Sequence, residues 1–271
     1  MSAPVSSQGM SYRLAAFDID GTLIGASGEL SPATIATLRG LDAAGVAIVA
    51  ATTRPYEIAT PMFASLGLEV AVIASTGADV RLVDGAIVEQ RTLPEAHARE
   101  VARLCDESDW GTIVGSADGA FRRGRPAPTN GAATTSVGSL AELPLDRVFM
   151  IAPFVTPADT SYAALDEILR AGRLRSERAV TSAGQELVAI TAEGVGKGAA
   201  LRRLCEALAI PASQAVAFGD AEVDVPMFEA AGRGVAMGNA PAAVRGAAAE
   251  VTGSADEDGV AASVRRIWGL S

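Results

Sequence analysis

The 271-residue sequence has two cysteines, one histidine and one lysine, and aromatic residues make up only 4% of it. Cys105 and Cys205 are too few for a disulfide framework, and each sits in a helical pattern where a buried thiol is the ordinary outcome. A single histidine, His97, argues against a multi-histidine metal site, and its place on an amphipathic helix reads as a packed or solvated ring. Basic residues are in deficit, 22 Lys+Arg against 32 Asp+Glu, for a formal net charge of −10. That argues against nucleic acid or an anionic membrane as the main partner, since both need a basic face. No run reaches the roughly 18 apolar residues of a membrane span. The opening MSAPVSSQGMSYR lacks the basic and apolar regions of a signal peptide, which gives a cytoplasmic expectation.

What is present is an apolar fraction of 49%, enough for a sizeable core. Residues 1–11 read as disordered. Leu14–Phe17 is a short apolar run. Ser31-Pro32 then opens a helix to about Ala44, with Ser as N-cap and Pro in the first turn. Val46–Ala51 and Val70–Ala74 are continuous apolar runs, the signature of strands buried on both faces. A helix over about Glu57–Leu66 separates them. This βαβαβ start predicts a doubly wound, Rossmann-like parallel sheet.

The pattern changes near Asp84-Gly85. From there to Gly184 helices are predicted at Pro94–Glu107 and Pro157–Ala171. Half-buried strands are predicted near Gly111–Val114, Arg147–Ile151 and Leu174–Thr181, and 124–128 reads as loop. The first pattern resumes near Glu186–Ile190. A helix over Lys197–Ala209, a buried strand Ala215–Phe218, a helix over Val223–Ala231 and a strand Gly234–Met237 come next. Helices near Pro241–Ala249 and Val260–Ile267 close the chain. The expected architecture is an α/β core over 12–84 and 185–271, with an α+β cap inserted over 85–184 and hinges near Asp84 and Gly184.

Four constellations carry chemistry. Asp18-Ile19-Asp20-Gly21-Thr22 follows the first strand, and ligands of doubly wound sheets sit at the carboxyl ends of strands. Two carboxylates there call for a cation, and Mg²⁺ prefers a few oxygen ligands. The other reading is a surface Asp-Gly turn. Thr52-Thr53-Arg54 follows the second strand. Its hydroxyl can donate to a phosphoryl oxygen near Asp18, although threonines also end strands with no such role. Gly196-Lys197-Gly198 opens a helix, where a cation opposes the macrodipole unless an anion sits between them. Flanking glycines suit close approach to that anion. Gly219-Asp220-Ala221-Glu222-Val223-Asp224 follows the fourth strand. Asp220 is placed to complete a metal site and Asp224 to orient Lys197, with helix capping as the alternative for either acid.

Together these motifs resemble the haloacid dehalogenase superfamily of phosphohydrolases, and within it the Cof-type subfamily with a large inserted α+β cap. The resemblance spans 12–267 and includes Val235-Ala236-Met237-Gly238-Asn239-Ala240 and Asp258-Gly259-Val260. It implies that Asp18 is the nucleophile and Asp20 the general acid and base. Mg²⁺ would be held by Asp18, the backbone carbonyl of Asp20, and Asp220. Thr52 and Lys197 would bind the phosphoryl group with Thr22 and Arg54, and Asp224 would support Lys197. The implied activity is hydrolysis of a small phosphomonoester, a sugar phosphate or similar metabolite, through an aspartyl-phosphate. A phosphotransferase or phosphomutase on the same fold, and a non-catalytic phospho-ligand sensor, are the alternatives. Three positions depart from the subfamily: Thr53 stands for the usual Gly, Thr76 for Asn, and Val223 for Asn. Arg122, Arg123, Arg125, Arg173, Arg175 and Arg178 are read as a solvated face of the cap, or as holding an anionic part of the substrate.

Overall fold

The computed structural model describes residues 12–124, 134–156, 159–180 and 185–270. The predicted disorder of 1–11, the loop after Gly124, Arg125, the helix start at Pro157 and the hinge at Gly184 lie outside them.

The chain begins with β1 (Leu14–Phe17), α1 (Pro32–Ala43), β2 (Ala47–Ala51), α2 (Tyr56–Ala64) and β3 (Ala71–Ala74). Helix α1 starts where its caps predict: Ser31 accepts from the Thr34 N–H, and Pro32 occupies the first turn. Next come β4 (Asp79–Arg81) and β5 (Ile87–Gln90), then α3 (Glu95–Glu107), β6 (Thr112–Ser116), β7 (Gly119–Arg123), β8 (Thr135–Ser136), β9 (Val148–Val155), α4 (Tyr162–Ala171), β10 (Arg175–Val180) and β11 (Glu186–Thr191). The chain ends with α5 (Lys197–Ala207), β12 (Ala215–Gly219), α6 (Val225–Ala230), β13 (Arg233–Ala236), α7 (Ala242–Ala247), β14 (Glu250–Val251) and α8 (Gly259–Trp268).

Two sheets result. The core sheet has the order β14-β13-β12-β1-β2-β3-β4-β5, and β14 through β3 are parallel. Both faces are covered, which explains the unbroken apolar runs. Ala15 and Phe17 pack toward α1, α2 and α8, and Leu14 and Ala16 toward α5, α6 and α7. Phe17 stacks on Phe218 of the adjacent strand at 4.8 Å between ring centroids. The cap sheet has the order β10-β11-β9-β6-β7-β8 and is antiparallel but for β7 and β8. Helices α3 and α4 cover one face through Val114, Ile151, Val188 and their neighbours. Among the described residues no helix is long and apolar enough to cross a membrane.

The expected boundaries shift at both ends of the cap. Ile87–Gln90 is the edge strand of the core sheet, whereas Glu186–Thr191 belongs to the cap sheet. Asp84-Gly85 is therefore the turn of a core hairpin, with Gly85 at φ 81°. The chain passes between the two units over 91–94 and 192–196.

A strained turn follows β3. Ser75 and Thr76 have φ of 49° and 58°, and both are buried. A β-branched residue is rarely left-handed, whereas asparagine tolerates that region. This accounts for Thr76 as an unfavourable occupant of its position. Thr76→Asn is expected to stabilise the fold by about 1 kcal/mol, read as a higher midpoint in urea. A lower midpoint would show that packing of the threonine methyl outweighs the strain.

Candidate active site

Strands β12, β1 and β2 are neighbours and parallel, so their carboxyl ends present Asp220, Asp18 and Thr52 side by side. The register is held beyond the strand ends: the Asp18 N–H donates to the Phe218 carbonyl at 3.0 Å, and the Thr52 N–H to Ile73 at 2.8 Å. Helix α5 delivers Lys197 to the same edge.

Lys197 is 1% exposed and lies between two carboxylates. Its Nζ donates to Asp18 Oδ1 at 2.6 Å and to Asp224 Oδ1 at 2.7 Å. The other oxygen of Asp224 accepts the backbone N–H groups of Asp220 and Ala221, both at 3.0 Å. Burial by itself disfavours the ammonium, but the adjacent Asp18 and Asp224 more than offset this and raise its pKa. Burial pushes the Asp18 carboxyl well above the usual range; Lys197 opposes that shift and Asp224 adds to it. Asp220 is pushed up to about 6 by burial and by Asp224.

The anion expected beside Lys197 is thus a pair of protein carboxylates. Of the flanking glycines, Gly198 serves packing. A Cβ on Gly198 would fall 2.2 Å from the Pro226 carbonyl oxygen, so the missing side chain lets α5 close on α6.

Carboxylate oxygens of Asp18, Asp220 and Asp224 lie within 4.8 Å of one another. With all three ionised, the carboxylates against one ammonium leave an excess of two negative charges. The donor set is all oxygen, which fits a hard divalent cation such as Mg²⁺. Gly21, at φ 89°, keeps the approach open, since a Cβ there would sit 2.2 Å from Asp220 Oδ2.

The remaining predicted residues divide. Thr52 is buried and its Oγ1 accepts the Arg54 N–H at 3.1 Å. Thr22, expected to bind phosphate, donates instead to Asp220 Oδ1 at 3.2 Å. Arg54 is turned to Asp20, with Nε and a terminal nitrogen at 2.9 and 2.5 Å from its two oxygens. The carboxylate of Asp20 stands outside the acidic cluster and is largely exposed. Asn239 is not among the site residues that the motifs single out. Its Nδ2 donates to the Gly21 carbonyl at 2.9 Å and to Asp220 Oδ2 at 3.2 Å, while its Oδ1 accepts from Ala255. The signal for it is its place three residues beyond the end of β13.

The sequence model described as haloacid dehalogenase-like hydrolase matches residues 15–264. The chain belongs to the haloacid dehalogenase-like hydrolases. Among its relatives, the phosphatase YwpJ of Bacillus subtilis is 26% identical over 94% of this chain and 99% of its own length. The HMP-PP phosphatase of Escherichia fergusonii is 30% identical over 84% and 85%. Among solved structures, a haloacid dehalogenase-like hydrolase from Bacteroides thetaiotaomicron superposes with a TM-score of 0.83 at 22% identity, covering 95% of this chain and all of that one. A haloacid dehalogenase subclass IIB sugar phosphatase has a TM-score of 0.79 at 23% identity, over 96% and 100%. The fold is the α/β core of that family with its inserted α+β cap, and the enzyme is a phosphatase of that family.

In this hydrolase a cavity of about 470 Å³ separates core from cap. Asp18, Asp20, Thr53, Arg54, Lys197 and Val223 line its core side. The cap side is largely apolar, with Met150, Phe154 and Leu187 in its wall. The described cap arginines are mostly engaged: Arg123 with Asp106 and Asp109, Arg173 with Glu193, Arg175 with Glu177, and Arg178 with Asp166. Arg122 donates to the Ser136 hydroxyl.

The acidic cluster has a measurable signature. A carboxyl whose folded pKa is raised contributes stability that is lost as pH rises through that pKa. Asp18 and Asp220 therefore weaken the cation-free protein as pH rises from about 4 past the Asp220 value of about 6. A bound divalent cation reverses this, so the gain in Tm on replacing EDTA by Mg²⁺ is expected to be larger at pH 7.5 than at pH 5. Melts at the two pH values check it, and an equal gain at both would contradict it.

Proposed function

We propose that this enzyme hydrolyses a small phosphomonoester with Mg²⁺, through a phosphoryl group carried on Asp18. The observation that carries the reading is the buried Asp18–Lys197–Asp224 array at the strand ends, beside Asp220. Asp18, Asp220 and the backbone carbonyl of Asp20 would hold Mg²⁺, which supplies charge neutralisation to the phosphoryl oxygens.

Lys197 occupies Asp18 Oδ1 and leaves the second oxygen for attack. That oxygen attacks phosphorus, the bond from phosphorus to the leaving oxygen breaks, and the leaving oxygen takes a proton from Asp20. Asp20 then removes a proton from water, whose oxygen attacks phosphorus, releasing phosphate and restoring the Asp18 carboxylate. The covalent carboxylate divides one hard step into two. The Thr52 hydroxyl and the Lys197 ammonium stabilise the transferring oxygens, as phosphoryl transfer chiefly needs positioning and charge. Asp20 leaves Arg54 to do this, which its exposure permits.

The relatives' names support a phosphorylated metabolite as substrate. One from Bacillus subtilis is a 5-amino-6-(5-phospho-D-ribitylamino)uracil phosphatase, 26% identical over 98% of this chain. The chemistry fits action inside the cell.

Asp18→Asn is expected to lower phosphate release by about 10³-fold or more, the scale of losing a covalent nucleophile. A malachite-green assay with Mg²⁺ and with EDTA checks both the residue and the metal. Turnover that persists in the variant would sink the mechanism. Asn239→Ala removes a donor from a proposed metal ligand. It is expected to raise the Mg²⁺ concentration for half-maximal activity by about 10-fold or more, and an unchanged Mg²⁺ titration would deny Asn239 that role.

A further inference from the structure

The cap rests on the core at the strained turn after β3. Ser75, Thr76 and Gly77 have φ of 49°, 58° and 107°, and all three are buried. Consecutive left-handed residues persist only where their surroundings fix them, and such strain gathers at functional sites.

Contacts on three sides fix this turn. Toward β2 it holds the segment that carries Thr52: the Thr76 N–H donates to the Thr52 carbonyl at 3.0 Å, and the Ser75 N–H to the Arg54 carbonyl at 2.9 Å. Toward α5 it backs the peptide that leads into Lys197. A Cβ on Gly77 would fall 2.8 Å from the carbonyl carbon and oxygen of Gly196. On the third side is the cap. A Cβ on Gly115 of β6 would fall 2.7 Å from Ser75 Oγ and 3.4 Å from Pro55 Cγ, so the missing side chain lets the cap sheet seat on the turn. Ser75 Oγ is buried and makes no hydrogen bond among the described residues, so what it offers Gly115 is a surface.

A β-bulge adds a second cap contact. Gly115 faces Met150 and Ser116 faces Val148, which leaves Phe149 as the extra residue of β9. A bulge re-aims a side chain. Phe149 packs with Ala78 at the end of the turn and with Ala192 and Val195, where the chain returns to the core. The outward passage is tied to the same place, the Arg91 N–H donating to the Ala78 carbonyl at 2.8 Å. The cap, both of its connections, the Thr52–Arg54 segment and the entry to Lys197 thus converge on 75–78.

Resting on the phosphatase reading above, we propose that Ser75 and Gly115 are positioning residues: the seat of Gly115 on Ser75 fixes the turn, and the turn fixes the Thr52 hydroxyl and the Lys197 ammonium against the phosphoryl group. Cap and phosphoryl site then move as one. A cap shifted on its seat disturbs phosphoryl binding even for a ligand that does not touch the cap.

The test is a double-mutant cycle of Gly115→Ala and Ser75→Gly, assayed on p-nitrophenyl phosphate with Mg²⁺, and with orthovanadate as inhibitor. Vanadate takes the phosphoryl site without a leaving group. Gly115→Ala is expected to lower kcat/KM about tenfold or more and to raise the vanadate Ki by a similar factor, with an unaltered circular dichroism spectrum, because small misplacements cost this much. In the Ser75→Gly background the same substitution is expected to cost less than about threefold, since the Oγ it strikes is gone. An unchanged vanadate Ki beside a fallen kcat/KM overturns the proposal, because the cap then acts on the leaving group alone. So does Gly115→Ala with wild-type kinetics, or a loss that Ser75→Gly does not relieve. Should Gly115→Ala fail to fold, Phe149→Leu loosens the other cap contact without added bulk. It is expected to raise the vanadate Ki about threefold or more, and an unchanged Ki there also overturns the proposal. If p-nitrophenyl phosphate releases no phosphate in a Mg²⁺-dependent way that Asp18→Asn abolishes, the phosphatase reading itself fails and this one with it.

Discussion

The structure turns on one buried ammonium. Lys197 is among the largest fully buried side chains, and it is held at 2.6 and 2.7 Å by Asp18 and Asp224. Desolvating a charge costs several kcal/mol, so such a group persists only where its partners are fixed by the fold. Here the three groups come from three places: Asp18 from the end of β1, Lys197 from the start of α5, and Asp224 from the turn after β12. Asp18 and Lys197 are 179 positions apart with the whole cap sheet between them. The array therefore forms only when both ends of the chain have assembled one sheet.

The array leaves a charge imbalance that organises its surroundings. Asp224 spends both oxygens inside the protein, on Lys197 and on two backbone N–H groups. Asp220 is braced by Thr22 and Asn239. Neither brace removes negative charge; both fix where it points. An array that is preorganised and over-negative is suited to a divalent cation, and through it to a phosphate dianion, without reorganisation at the moment of reaction. Asp20 is held apart from this cluster by Arg54, which is the condition for two nearby carboxylates to have different tasks.

Much of this was legible because buried parallel strands are nearly unpunctuated apolar runs, and the residues just after such a run lie at the ligand-binding edge. Asp18, Thr52 and Asp220 could be placed by that rule alone. The β4–β5 hairpin was missed because its strands are short and Asp84-Gly85 reads equally as a turn or a boundary. The strand Glu186–Thr191 was put in the core because its apolar run does not say which sheet will pair with it. Thr22 and Arg54 were expected to bind phosphate, but pairing is a tertiary fact, and both donate to carboxylates. Gly198 was read toward an anion when the Pro226 carbonyl occupies that space.

The departures from the subfamily pattern take on meaning from where they fall. None replaces a residue of the Asp18–Lys197–Asp224 array, Asp20 or Asp220. Thr53 and Val223 both line the cavity between core and cap. Val223 puts an apolar surface where the pattern has an amide, and Thr53 adds a methyl and a hydroxyl where it has none. A chain losing catalysis would be expected to relax the buried charges first, because they cost the most to keep. In this chain the costly groups are intact, and two of the three departures line the cavity between core and cap. That distribution favours a changed substrate over a lost activity.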